Sequence, residues 1–172
     1  PALQLAAQTR RRLTNDLREA LQRDQFKLMY QPIVSLCDAS VQRAEALLRW
    51  HHPRQGLVMP ADFVSLAESS GLIMDIDGWV LEQAILQARR WRERLHPNFQ
   101  ISINRSPLQF RSGPERQAQW LQQLALAEVR NLGLAMEITE GLLLSGDLLA
   151  RRQLQALREA GISIALDDFG TG

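Results

Sequence analysis

Phe99-Gln100-Ile101-Ser102-Ile103-Asn104 alternates strictly between Phe99, Ile101 and Ile103 on the one hand and Gln100, Ser102 and Asn104 on the other. Side chains along a strand point to opposite faces in turn, so the segment predicts a strand with one bulky apolar face and one polar face. The design recurs twice. In 134–138, Leu134, Met136 and Ile138 oppose Ala135 and Glu137; in 162–167, Ile162, Ile164 and Leu166 oppose Ser163, Ala165 and Asp167. Each second face carries an oxygen-bearing side chain towards the C-terminal end of its strand: Asn104, Glu137, Asp167.

The segments around these strands have helical spacing. Residues 147–160 predict a helix stopped at Gly161, and 115–127 predict another. Upstream, Pro60 marks a helix start, 61–69 form a short helix closed by Gly71, and Asp75 or Asp77 opens a longer one to about Leu95. That longer helix has Ile76, Trp79, Val80, Ala84 and Trp91 at its apolar positions. Single strands alternating with helices predict an α/β fold with a parallel sheet or barrel. Two earlier strands, 26–34 and 41–49, are separated by only 6 residues. A parallel crossover takes about a dozen or more, so this pair should run antiparallel. Residues 3–22 read as an amphipathic helix on Leu13, Leu17 and Leu21, with polar first turns that suit a connector. The expected division is therefore a linker helix, 1–24, leading from an upstream domain, and a domain over 25–172.

Composition narrows the class. A length of 172 residues suits one domain with a real core. A formal charge of +1 offers no global field to attract a nucleic acid polymer or an anionic membrane. The single cysteine, Cys37, excludes an internal disulfide and a cysteine-built metal site. No apolar run approaches the ~18 residues of a membrane span, and the expected location is cytoplasmic. Lys27 is the only lysine, which reads as a preference for arginine codons.

The strand ends are where α/β sheets and barrels place their chemistry. Glu45 shares a strand face with Leu47 and Arg49, so Glu45, Asn104, Glu137 and Asp167 can converge, with Asp168 next along the chain. Four carboxylates and an amide oxygen suit a hard divalent cation such as Mg²⁺ or Mn²⁺. Without one they repel and raise each other's pKa values. No histidine joins the set, which disfavours zinc. The competing reading is of helix caps and ordinary ion pairs. His51, His52 and His96 lack metal-ligand spacing and read as solvated loop residues. Trp50, Trp79, Trp91 and Trp120 read as core, with Trp50 also placed to wall a pocket. Ser35 and Ser102 have no histidine to activate them, and Gly170-Thr171-Gly172 is too short for a phosphate loop.

At these same residues the chain resembles the EAL family of bacterial cyclic di-GMP phosphodiesterases. The triplet stands as Glu45-Ala46-Leu47, preceded by Tyr30-Gln31-Pro32-Ile33-Val34. It is followed by the Asn104 segment, by Met136-Glu137-Ile138-Thr139-Glu140, and by Ala165-Leu166-Asp167-Asp168-Phe169-Gly170-Thr171-Gly172. The resemblance implies a TIM-like barrel with an antiparallel first strand, and metal-dependent hydrolysis of one phosphodiester bond of cyclic di-GMP to the linear dinucleotide. It implies that Glu45, Asn104, Glu137 and Asp167 are metal ligands and that Asp168 serves a second metal. Glu45, Asp167 and Asp168 are then the catalytic set. Arg49 matches a contact to substrate phosphate, Gln31 and Pro60 match positions lining a guanine pocket, and Glu140 matches a residue holding the loop at 167–172 in place. An upstream sensory or GGDEF-type domain is implied as partner.

Two departures stand out. Asn104 is followed by Arg105-Ser106-Pro107-Leu108, where the family often has a leucine, serine and alanine run. The sequence also stops just after its fifth expected strand, whereas a closed barrel takes about 250 residues, so the family's later lysine, glutamate and glutamine are absent. Residues 1–172 are thus expected to form a partial barrel, inactive alone, with 162–167 as an open edge that invites dimerisation or aggregation. The alternative to an enzyme is a cyclic di-GMP receptor or interaction module that has lost turnover. Against it, every ligand position within the 172 residues is filled.

Overall fold

The structure, a computed structural model, describes residues 2–111, 113, 118, 120, 122, 124, 133–144 and 147–167. Its elements in chain order are α1 (Ala2–Ala20), β1 (Phe26–Val34), β2 (Val41–His52), β3 (Gly56–Val58), α2 (Pro60–Ser70) and α3 (Ile73–Arg94). There follow β4 (Gln100–Asn104), a 3₁₀ turn (Pro107–Arg111), β5 (Leu134–Thr139), α4 (Glu140–Leu144), α5 (Leu148–Glu159) and β6 (Ser163–Asp167). The expected helix over 115–127 lies largely outside the described residues.

The sheet order is β1-β2-β4-β5-β6, with β3 paired to β2 beside this path. The pairs β2–β4, β4–β5 and β5–β6 are parallel. At one end of the β1–β2 pair the Ser35 amide donates to the Ser40 carbonyl, at 2.9 Å; at the other the His51 amide donates to the Gln25 carbonyl, at 2.8 Å. The two strands therefore run in opposite directions, as the short connection requires. Each crossover adds the next strand beside the last. This sequential order is that of a TIM-like barrel wall, whereas a doubly wound sheet reverses direction at a switch point.

The chain divides into two compact units, 1–29 with 48–80 and 30–47 with 81–172. The core of the first unit is aromatic. The Phe26 ring lies 6.2 Å from Trp50, 5.9 Å from Phe63 and 5.9 Å from Trp79, and Trp50 meets Phe63 edge-on. Leu17 and Ala20 of α1 are fully buried. Strand β2 continues three residues beyond its expected end because β3 folds back on it, pairing Trp50 with Val58 and His52 with Gly56. That extension overturns the reading of His52 as a solvated loop residue: it is 3% exposed. Its Nδ1 accepts from the amides of Arg54 and Gln55, which leaves Nε2–H to donate to Asp16 of α1 at 3.2 Å. Arg54 meets the same carboxylate at 2.7 Å. Pro60 opens α2 as expected, and Gly71 ends it in the left-handed region, at φ 76°.

In the second unit the strand faces divide as their alternation requires. Ala44, Ala46, Ile101, Ile103, Leu134, Met136 and Ile138 are buried on one face. Tyr30 packs edge-on against Trp91, and Trp91 against Phe99; burial pushes the Tyr30 phenol up to about 12 against the opposing pull of Arg90. Asp147 caps α5, accepting from the amides of Leu149 at 2.8 Å and Ala150 at 3.4 Å. Along that helix Ala150, Gln153, Leu154 and Leu157 form the buried stripe. On β6, the last strand of the path, Leu166 remains 44% exposed, as an edge strand allows.

Gly133 sets up β5. It adopts φ +64°, and a Cβ built there would stand 2.3 Å from the Phe99 carbonyl oxygen. Its own carbonyl accepts from Ile101 at 2.9 Å. Gly133→Ala should destabilise the fold by roughly 2 kcal/mol or more, combining backbone strain with a clash against main chain. Gly71→Ala, where the Cβ meets nothing within 4 Å, should lose only the conformational cost of ~1–2 kcal/mol. Urea unfolding of the two variants side by side measures the difference.

Candidate active site

Parallel pairing brings the oxygen-bearing side chains together. Glu45 is level with Ser102, Ser102 with Ala135, and Ala135 with Ser163. The next level is Asn104, Glu137 and Ala165, and above it Thr139 is level with Asp167. Residues level across a parallel pair share a face, so Glu45, Asn104, Glu137 and Asp167 all project from one side of β2, β4, β5 and β6. Alanine and serine between them leave room there.

The contacts bear this out. Asn104 Nδ2 donates to Glu45 Oε1 at 2.6 Å, which orders both groups and keeps Oδ1 of the amide for another partner. The Glu137 carboxyl is held above the usual carboxylate range, chiefly because burial disfavours its charged form. The neighbouring charges of Glu45 and Asp167 push in the same direction, and the Ser102 hydroxyl opposes them. That hydroxyl is buried and makes no hydrogen bond of ordinary geometry among the described residues.

A half-buried, mutually repelling set of carboxylates beside an amide oxygen is short of positive charge. Its donor chemistry, all oxygen, fits a hard divalent cation. Among the described residues, no three histidine, cysteine or acidic side chains are close enough together to hold a metal ion as they stand. Asn104 counts as a donor beyond that group, and Asp168 lies outside the described residues.

The other sequence-derived positions are distributed as follows. Arg49 sits on β2, four residues beyond Glu45, and donates to the Leu48 carbonyl at 2.8 Å. Gln31 is exposed on β1, Pro60 is the first residue of α2, and Glu140 is the first residue of α4. Ser102 is the residue that sequence reasoning undervalued. No histidine activates it as a nucleophile, but its place on the polar face of β4 puts its hydroxyl beside Glu137.

The structure is an α/β domain that gathers Glu45, Asn104, Glu137 and Asp167 on one face of its parallel strands. Residues 14–172 match the EAL domain family, and the chain belongs to that family. It is 39% identical over 162 residues to the cyclic di-GMP phosphodiesterase NbdA of Pseudomonas aeruginosa, covering 93% of this chain and 20% of that protein. It is 38% identical over 170 residues to the bifunctional diguanylate cyclase/cyclic di-GMP phosphodiesterase MucR of the same organism, covering 96% and 24%. The chain spans from 20% to 53% of the length of such curated relatives. Among solved structures, the MucR phosphodiesterase in complex with c-di-GMP matches with a TM-score of 0.83 at 38% identity, over 94% of this chain and 65% of that one. The EAL enzyme Bd1971, in its cAMP- and cyclic-di-GMP-bound form, matches with a TM-score of 0.85 at 31% identity, over 97% and 46%.

The raised Glu137 pKa has a definite sign in stability. The native state holds this proton more tightly than the unfolded chain, so stability falls as pH rises from the ordinary carboxylate range through the raised value. Glu137→Gln removes that loss. In metal-free protein it should raise the Tm relative to the parent at pH 7.5, with the difference shrinking towards pH 4. Calorimetry across that range checks both the sign and the trend.

Proposed function

We propose that this chain is the ligand-bearing part of a metal-dependent phosphodiesterase that hydrolyses cyclic di-GMP to the linear dinucleotide. The observation that carries the reading is the shared face of Glu45, Asn104, Glu137 and Asp167 on adjacent parallel strands, with Asn104 and Glu45 in contact at 2.6 Å. The relatives named for this activity, and the solved structures bound to this nucleotide, support it.

In this reading Glu45, Asn104, Glu137 and Asp167 hold Mg²⁺ or Mn²⁺, and Asp168 serves a second ion. When bound, the cation supplies Lewis-acid charge to a phosphoryl oxygen and makes water a better nucleophile at neutral pH. The carboxylates fix where that charge sits, and Asn104 holds Glu45 in its ligating orientation. Water adds to phosphorus, the bond from phosphorus to a ribose 3′ oxygen breaks, and that oxygen takes up a proton. Arg49 exchanges its bond to the Leu48 carbonyl for a charge-assisted contact to a substrate phosphate. Gln31 and Pro60 line the guanine site, and Glu140 positions the segment at 167–172.

The same reading assigns residues 1–24 to a connection with an upstream sensory or GGDEF-type domain, a cytoplasmic setting and self-association. Among the described residues no helix is long and apolar enough to cross a membrane.

Three outcomes are expected in the full-length protein or from residues 1–172. Glu45→Ala should abolish hydrolysis of cyclic di-GMP with either Mg²⁺ or Mn²⁺, followed by chromatography of the product; near-normal turnover overturns the metal assignment. Arg49→Ala should weaken nucleotide binding by about 1.5–3 kcal/mol, the range for a hydrogen bond to a charged group, measured by calorimetric titration. Residues 1–172 assayed alone should show no turnover of cyclic di-GMP.

A further inference from the structure

The polar-face residues account for the ligands, but the opposite face of β4 holds an anomaly. Ile101 and Ile103 occupy it and are 0% and 1% exposed. The next residue on that face is Arg105, where alternation and burial call for a third apolar side chain. Arg105 is nevertheless 6% exposed. Taking a guanidinium out of water costs several kcal/mol unless strong contacts offset it. Two aromatic rings receive it: its Cζ lies 3.8 Å from the centre of the Trp120 ring and 4.8 Å from that of Phe110. A desolvated cation between two π faces is where cation–π attraction is strongest.

The Phe110 wall of this cage is tied to α5 by a buried side chain. Gln153 of α5 donates through Nε2 to the Phe110 carbonyl, and α5 packs on the 3₁₀ turn. The Gln109 amide donates to the Ser106 carbonyl, and the Gln109 side chain is buried. The main chain of Arg105 reaches the other way. Its amide donates to the Glu137 carbonyl at 3.0 Å, one residue past the Asn104–Glu137 register pair. Arg105 is thus the covalent neighbour of one site residue and the hydrogen-bond partner of another. Its side chain anchors the end of β4, where strands otherwise fray.

We propose that Arg105, clamped between Trp120 and Phe110, is a positioning residue that holds Asn104 and Glu137 in register for cation binding. An apolar side chain would fill the same volume. The guanidinium adds a contact that fixes the side chain against two planar faces, and with it the last residue pair of the β4–β5 ladder. This inference rests on the metal-dependent reading of the same site.

The test uses the full-length protein, purified free of metal, as wild type, Arg105→Leu and Arg105→Lys. Mn²⁺ binding is titrated without nucleotide by the electron paramagnetic resonance signal of the free ion, and hydrolysis of cyclic di-GMP is measured at fixed Mn²⁺. Arg105→Leu should weaken Mn²⁺ binding about tenfold, the scale seen when a group supporting a ligand is lost. It should lower kcat by a similar factor and change KM for the nucleotide by less than about twofold. Arg105→Lys keeps the charge without the planar fork and should recover Mn²⁺ affinity to about threefold below wild type. If Arg105→Leu lowers the Tm but leaves Mn²⁺ affinity and kcat at the wild-type values, the residue only packs and the proposal fails. Should that variant not fold, Arg105→Lys decides alone, and wild-type Mn²⁺ affinity in it overturns the proposal. A wild-type protein that neither binds Mn²⁺ nor hydrolyses the nucleotide overturns the metal-dependent reading itself, before any variant is compared.

Discussion

Register between β2, β4, β5 and β6 is the constraint on which the site depends. Side chains on a strand repeat with period two, so a slip of one residue in any pair sends a whole polar set to the buried face. The ladder that sets Glu45 beside Ser102 and Asn104 beside Glu137 is specified from its other side. Ala44, Ala46, Ile101, Ile103, Met136 and Ile138 must all stay buried, and a one-residue slip would expose them. Hydrophobic burial on one face thus determines the position of carboxylates on the other.

The cost of that placement is visible at Glu137. Burial and two neighbouring carboxylates disfavour its ionised form, against the weaker help of Ser102. Packing alone would not favour such a cluster, which gathers like charge where solvent is partly excluded. Under the proposed reading a cation offsets this cost, because carboxylates that already repel gain most when a divalent charge arrives. The bond from Asn104 to Glu45 orders that pair beforehand.

The first unit is organised on another principle. Its aromatic cluster of Phe26, Trp50, Phe63 and Trp79 supplies the apolar mass, and Asp16 ties α1 to the β2–β3 hairpin through His52 and Arg54. His52 is buried without penalty because each ring nitrogen has a partner of the right kind. The tautomer follows from two backbone donors at Nδ1. The chain sequence of His51-His52-Pro53 suggests a turn and conceals this, since the fold-back of β3 that extends β2 depends on pairing at a distance.

The α/β class, the antiparallel first pair, the parallel strands and the two faces of each can be read from the residues alone, because periodicity and connection length are local properties. Glu45, Asn104, Glu137 and Asp167 were legible for the same reason: alternation places each on the face opposite a run of buried residues, and the EAL-type motifs stand at the same positions. Arg105 and His52 were not legible. Their environments are made by Trp120, Phe110 and Gln153 in one case and by Asp16 and the β3 fold-back in the other. Phe110, Trp120, Gln153 and Asp16 lie from 5 to 48 positions away along the chain, and no local spacing announces them. Only tertiary structure decides whether a buried cation or imidazole is satisfied, because the groups that offset its desolvation arrive from separate elements.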